Sequence, residues 1–417
     1  MKELWLFTRQ FPTGRGETFL ENALPVWAKR FGRVRVLPMF EDEGIASVPP
    51  GVEVLRLWRG AEAFAPLSWP DTLRHSGDVM RLLARGREGA PGAVPFAEAL
   101  NHARQLARKA HDLRRRLMPA YDPRNVVLLC VWMEDWVNVL GLLKPSIPGM
   151  RIASMAHGWD LFEERRPGGR IPFRPSQMRL VDRVHCISES GRGYLRKRFP
   201  EHAEKVRLSP LGVPDRGAGP WHPDEVLRIA SCAHLRPPKR VELLAEALRL
   251  VERPVHWTHF GDGPGRAELE ALISRLPGNV RVDLKGAVAN TELMDWYRSV
   301  PVDLFVHFSG HEGVPVSLME AASFGIPLLA NDVGGVGEIV GSGTGVLLPR
   351  DPGPEDVCAW LDGPGPDALR TPEARAAVRA QWKERFDAEK NFGRVAELLG
   401  EVLVPGAASA GHVGKVP

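Results

Sequence analysis

From Val226 to Pro349 the chain switches repeatedly between two hydrophobic periods, and this restricts its fold more than any other feature. "VLRIASCAHL", "VHWTHFG", "VRVDLKG", "VDLFVHFS" and "PLLAND" are apolar runs of strand length. Between them lie "VELLAEALRLVE", "GRAELEALISRL", "NTELMDWYRSV" and Val316 to Ser323, all with helical composition. Such alternation predicts a mostly parallel sheet covered by helices on both faces. The first half repeats the pattern less regularly. "ELWLFTR", "VRVLPM", "NVVLLCVWM", "RIASMAHG" and "DRVHCIS" read as strands, and "ETFLENALPVWAKRF" reads as a helix. A mostly helical insertion over 61–120 is broken by "GREGAPGAVP".

A chain of 417 residues exceeds one compact core, so two domains are expected. The Pro- and Gly-rich stretch 209–220 is the linker between Rossmann-like domains at 1–208 and 221–385. A C-terminal helix follows over 386–403, with packing back on the first domain as one expectation. The tail 404–417 is small, polar and expected to be disordered.

The charge balance, 55 basic against 51 acidic residues, is too even to imply a nucleic-acid partner. The 4 cysteines are widely spaced, which suits a reducing cytoplasm and fits neither a disulfide framework nor a zinc ribbon. The N-terminus reads as a first strand rather than a signal peptide, and no apolar run reaches the ~18 residues of a membrane span.

Four segments could carry chemistry. In "GHEGVPVSLMEAASFGIPLLAN", Glu312 stands in a loop after a strand, where open α/β sheets bind ligands. Pro315 suits the first position of the helix that carries Glu320, and Gly325 with Pro327 ends it. Eight residues of helix would separate two carboxylates by ~12 Å, too far for a glycosidase acid/base pair. The two glutamates are therefore expected to hold different parts of one ligand, against the plainer reading of a capping Glu312 and an exposed Glu320. In "CAHLRPPKRVELLAEA", Arg236, Lys239 and Arg240 precede a helix, and cations beside a helix N-terminus suit an anion such as phosphate. "HFGDGPGR" carries Gly261-x-Gly263 between a strand and a helix, a tight turn more than a dinucleotide fingerprint because Arg266 replaces the third glycine. His157 follows a strand in "SMAHGWDLF". No metal site is expected: His256 and His259 face opposite sides of one strand, and there is no Asp-x-Asp.

Taken in order, "HGWD", the Lys239 segment, "FGDGPGR" and "EGVPVSLMEAASFGIPLLANDVGGVGEIV" resemble glycosyltransferase family 4, the retaining enzymes of the GT-B fold. The likeness is densest over 225–350. "FPTGRGETFLEN" is similar to the "FP…SETF" opening of the bacterial exopolysaccharide and lipopolysaccharide branch. The resemblance implies an α/β, GT-B fold, with an acceptor-binding first domain and a nucleotide-sugar-binding second domain facing a central cleft. It implies that Glu312 faces the donor sugar, that Glu320 grips the ribose hydroxyls, that Lys239 neutralises the diphosphate, and that His157 borders the sugar site. Gly14, Gly16, Gly261 and the run Gly313, Val314, Pro315 and Val316 complete the expected donor contacts. His234 stands where the family usually has arginine, and Arg236 is the expected substitute. The substrate would be a nucleotide sugar and the acceptor a glycan or lipid-linked molecule, with no cofactor or metal and a role in surface polysaccharide synthesis. The location would be cytoplasmic, with peripheral contact at the inner face of the cell membrane as a wider expectation.

Two other readings stand beside this one: a catalytically silent GT-B partner in a polysaccharide assembly complex, which His234 supports, and a dinucleotide oxidoreductase, which only Gly261-x-Gly263 supports. For the membrane contact, "NHARQLARKAHDLRRRLM" presents Ala103, Leu106, Ala107, Ala110, Leu113 and Leu117 as one stripe beside a basic face. Packing of that stripe on its own domain is the favoured alternative.

Overall fold

The computed structural model describes residues 2–13, 16–40, 48–89, 94–222 and 224–402. The chain divides into two compact units: 1–209 together with the segment from Phe392, and 210–391.

The first unit contains β1 (Glu3–Thr8), β2 (Arg33–Pro38), β3 (Val52–Val54), β4 (Val126–Cys130), β5 (Ile152–Ala156), β6 (Arg183–Cys186) and β7 (Val206–Leu208). Their spatial order is β3-β2-β1-β4-β5-β6-β7, with every pairing parallel. Leu6 of β1 lies opposite Val36 on one side and Leu129 on the other. "VVLLC" of β4 is buried at every position, as a strand covered on both faces must be. The covering helices are α1 (Leu20–Arg30), α2 (Trp69–Arg74), α3 (Ser76–Gly89), α4 (Phe96–Arg116), α5 (Asp135–Leu143), α6 (Arg174–Leu180) and α7 (Glu189–Arg198).

The second unit contains β8 (Leu227–Cys232), β9 (Val255–Phe260), β10 (Val280–Leu284), β11 (Leu304–His307), β12 (Leu328–Asn331) and β13 (Gly345–Leu348). Their order is β10-β9-β8-β11-β12-β13, again all parallel. Helices α8 (Val241–Leu248), α9 (Arg266–Ile273), α10 (Asn290–Ser299), α11 (Val316–Ser323), α12 (Pro354–Asp362), α13 (Gly365–Leu369) and α14 (Pro372–Arg385) accompany it. The last helix, α15, runs Ala388–Val402. From Phe392 it belongs to the first unit, where Trp27 Nε1 donates to the Phe392 carbonyl at 3.0 Å.

Two elements differ from their sequence-based expectation. α1 begins at Leu20 rather than at Glu17, because the Glu17 carboxylate is committed to the preceding loop. The stripe on α4 is core: Ala103, Leu106, Ala107, Ala110, Leu113 and Leu117 are all buried. Four of its cations bond protein groups, while Arg115 is exposed. Arg104 donates to Thr72 Oγ1 at 3.0 Å, Arg108 to the Glu62 carbonyl at 2.9 Å and Arg116 to the Leu57 carbonyl at 2.7 Å, and Lys109 bonds the Ala63 carbonyl. Insertion of this apolar stripe into a membrane is thereby overturned, and the stripe packs on its own domain. The expected tail, 404–417, lies outside the described residues.

Candidate functional site

In the second unit the order of connection reverses between β8 and β11. The loops leaving such neighbouring strands diverge and open a crevice at their carboxyl ends. Lys239 lies on the loop after β8, at the end of a 3-10 turn, Pro237–Lys239. Glu312 lies on the loop after β11. Lys239 Nζ is 2.5 Å from Glu312 Oε1, so two residues 73 positions apart in sequence form one ion pair. The same oxygen accepts from His307 Nε2 at 3.0 Å and from Ser309 Oγ at 2.7 Å. Burial works to raise the Glu312 carboxyl. The His307 hydrogen bond and charge, together with the Lys239 charge, outweigh it and hold the group at about 2. The result is a carboxylate fixed in orientation and ionised at any physiological pH.

The Gly-rich loop after β12 locks this arrangement. Gly335 N–H donates to the Gly313 carbonyl at 2.8 Å, and a Cβ at Gly335 would lie 2.4 Å from that oxygen. Val314 is buried, and Pro315 is the N-cap of α11 rather than its first residue, with Val316 following. Gly325, at φ +74°, ends the helix in the left-handed conformation read from the sequence. Glu320 is buried on α11, where Oε1 accepts from Asn290 Nδ2 at 2.7 Å. The reading of Glu320 as an exposed helix residue is therefore excluded.

The remaining cations behave differently. Arg236 is exposed at the N-cap of the Lys239 turn, and Arg240 pairs with Asp351 at 2.6 Å. His234 is exposed and directs Nδ1 toward the Asp262 carbonyl at 3.4 Å. Close packing accounts for Gly261 and Gly263 without any ligand. A Cβ on Gly261 would lie 1.9 Å from the Ala233 carbonyl oxygen, and one on Gly263 2.5 Å from that of Leu235. Asp283 of β10 is paired with His256 at 3.1 Å.

In the first unit the switch falls between β1 and β4. Glu17 reaches back across the loop after β1. Its oxygens accept from the backbone N–H groups of Arg9 at 2.9 Å, Gln10 at 2.8 Å and Phe11 at 2.7 Å, and from Trp132 Nε1 at 2.7 Å. This staple shapes the loop that leads to Gly16, where a Cβ would meet nothing within 4 Å. Gly14 lies outside the described residues. His157 is buried after β5 between the rings of Phe19 (4.8 Å) and Trp132 (4.5 Å). Burial depresses its imidazole below the ordinary value, so it is neutral at pH 7. Its Nε2–H donates to the Val131 carbonyl at 3.0 Å, which leaves Nδ1 as the acceptor. Asp160 sets this position, taking the backbone N–H of His157 at 2.6 Å and of Met133 at 2.8 Å.

Sequence reasoning missed Glu17, Trp132, Asp160, Asn290, His307 and Ser309. One signal was available for the last two: they are two residues apart in "VHFS", and residues two apart in a strand share a face.

Residues 221–357, all in the second unit, match the family described as Glycosyl transferases group 1. The Escherichia coli O-antigen biosynthesis glycosyltransferase WbnH is 29% identical over 201 residues, 46% of this chain and 55% of that protein. The putative colanic acid biosynthesis glycosyltransferase WcaL of Escherichia coli K12 is 29% identical over 212 residues, 48% of this chain and 52% of its own. The chain therefore spans about half the length of the curated relatives it matches. The crystal structure of Anabaena Alr3699/HepE in complex with UDP superposes with a TM-score of 0.63 at 18% identity, over 96% of this chain and 100% of that one. The chain thus has the GT-B fold, built from two Rossmann-like units, and the unit that carries Lys239, Glu312 and Glu320 contains a domain similar to Glycosyl transferases group 1.

Proposed function

We propose that this protein is a retaining glycosyltransferase that moves a sugar from a nucleoside-diphosphate donor to a glycan or lipid-linked acceptor in surface polysaccharide synthesis. The observation that carries the reading is the meeting of Lys239 and Glu312 at the switch point of the second sheet. The similarity of 221–357 to Glycosyl transferases group 1, and the names of the matching proteins, support it. Departure of a nucleoside diphosphate develops negative charge, which Lys239, Arg236 and the start of α8 would stabilise. Glu312, already ionised and held by three donors, would orient sugar hydroxyls. Glu320 would take the ribose, exchanging or sharing its Asn290 contact. His157 would accept a hydroxyl through Nδ1. The acceptor hydroxyl would attack from the face that the diphosphate leaves, so the anomeric configuration is kept and no metal is required.

Peripheral contact with an anionic membrane belongs to this proposal, on a surface other than α4. Trp69, Leu73 and Met80 of α2 and α3 are 61%, 76% and 63% exposed, beside Arg74 and Arg81. No helix of the described residues is long and apolar enough to cross a membrane.

A thermal-shift panel of UDP-, GDP- and ADP-sugars tests the donor, since a ligand bound only by the folded form raises Tm. NMR of the product's anomeric coupling, with and without EDTA, tests the chemistry. An inverted product, or loss of turnover in EDTA, would overturn the mechanism.

A further inference from the structure

Arg240 stands between the turn that carries Lys239 and the first residue of α8, and its backbone is left-handed, at φ +46°. Phe173 is the one other non-glycine residue with positive φ among the described residues. Glycine takes such a conformation freely, whereas a Cβ crowds the following carbonyl oxygen. An arginine persists there only where its surroundings fix it.

Those surroundings are three loops at the carboxyl ends of the second sheet. The turn Pro237–Lys239 follows β8. Its two consecutive prolines fix φ and supply no N–H, so the turn is tied down through carbonyls and side chains. On one side the Pro238 carbonyl accepts at 2.9 Å from the N–H of Gly310, on the loop after β11 that carries Glu312. On the other side Arg240 reaches the loop after β13. There its guanidinium pairs with Asp351 at 2.6 Å and donates to the Pro352 carbonyl at 3.4 Å. Asp351 is 83% exposed, and an ion pair to so exposed a partner adds little to stability. Its consequence is geometric. The change of handedness at Arg240 separates the turn from α8, so the Lys239 side chain leaves toward Glu312, 2.5 Å away, while that of Arg240 leaves toward Asp351.

We propose that Arg240 is the positioning residue of Lys239: its left-handed backbone and its tether to Asp351 and Pro352 hold the turn so that the Lys239 ammonium group stands at the crevice. The role rests on the glycosyl-transfer reading, in which Lys239 meets the donor diphosphate.

The test removes the tether and keeps the backbone. Asparagine takes the left-handed region more readily than other side chains, so Arg240→Asn does this, while Arg240→Lys keeps a cation for Asp351. Acetic anhydride labelling of the full chain, read by mass spectrometry, reports how firmly Lys239 is held, because an amine in an ion pair reacts slowly. Lys239 should be acetylated at least threefold faster in Arg240→Asn and within twofold of wild type in Arg240→Lys. The exposed Lys383 should be unchanged in both. UDP, titrated calorimetrically into the same samples, should bind Arg240→Asn at least fivefold more weakly, with Tm close to that of wild type. If Arg240→Asn does not fold, Asp351→Ala, which removes the tether from its exposed end, decides. Unchanged labelling of Lys239, equal acceleration at Lys383, or unchanged affinity for UDP in a chain that binds it overturns the proposal. Faster labelling of Lys239 with no binding of UDP by the wild type leaves the positioning standing and sinks the nucleotide-sugar reading. Binding of UDP with unchanged labelling does the reverse.

Discussion

At the scale of the residue, Lys239 and Glu312 were legible because each follows an apolar run of strand length and lies where a parallel sheet presents its loops. Their direct pairing was not, because contact between residues 73 apart depends on which strands are neighbours. Removing Lys239 should show both sides of the pair. Lys239→Ala should reduce transfer roughly 10- to 100-fold, since a hydrogen bond to a charged group is worth ~1.5–3 kcal/mol. It should also let the Glu312 carboxyl rise from about 2 toward its ordinary 4.5, followed by carbon-13 NMR of that side chain. The sign is that of a depressed carboxylate. The stabilisation from this network is fully present above 4.5 and is lost as pH falls through about 2 in the native protein. An unmoved Glu312 titration in the variant would mean that His307 and Ser309 alone hold the charge.

At the scale of the element, the sequence reading failed where a side chain serves the backbone of another segment. Glu17 was read as the first residue of α1, because nothing in "GETFLEN" says that its carboxylate turns back to Arg9, Gln10 and Phe11. A carboxylate can accept on both oxygens, whereas an amide accepts on one and brings a misplaced donor. Glu17→Gln should therefore destabilise the protein by ~1.5–3 kcal/mol in urea. The amides of Arg9 to Phe11 should exchange with solvent faster than those of β1. Uniform acceleration would place the loss in the whole unit rather than in the loop. Gly335 makes the complementary case. It stood in the sequence only as part of the family-like run "VGGVGEIV", but its N–H and its missing Cβ hold the Gly313 carbonyl and, through it, the segment that carries Glu312. Gly335→Ala should lower turnover per folded molecule at least tenfold and also lower Tm, because the added Cβ would lie 2.4 Å from a backbone oxygen and 2.9 Å from Cγ2 of the buried Val314, so the segment carrying Glu312 must shift. A large fall in Tm with unchanged turnover per folded molecule would make Gly335 a packing residue only.

At the scale of the whole molecule, strand–helix alternation was enough to predict two parallel sheets, since a strand that returns after a helix runs the same way as the one before it. The buried polar cluster of the first unit, where His102 meets Asp135 and Gln177 meets Asn138, was invisible for the opposite reason. His102, Asp135, Asn138 and Gln177 lie on three helices, and only tertiary packing brings them together. Buried strand histidines were equally hard to weigh. His185 on β6 and His259 on β9, one in each unit, are both at 0% exposure, and each meets a serine hydroxyl at 2.8 Å, from Ser209 and Ser231. Burial pushes both imidazoles down to about 4 from an ordinary 6.5. Here the native state binds protons less readily than the unfolded chain. Stability is therefore fully present above 6.5 and is lost as pH falls toward 4. A tenfold difference in proton affinity between the two states is worth ~1.4 kcal/mol, so each histidine should remove about 3 kcal/mol by the acid end of that window. Urea midpoints measured from pH 7.5 down to 4 should fall steeply in the wild type. In the double variant His185→Asn, His259→Asn, where an amide keeps a partner for each serine and cannot be protonated in this range, the slope between 6.5 and 5 should flatten. Parallel slopes in the two proteins would assign the acid sensitivity to carboxylates instead.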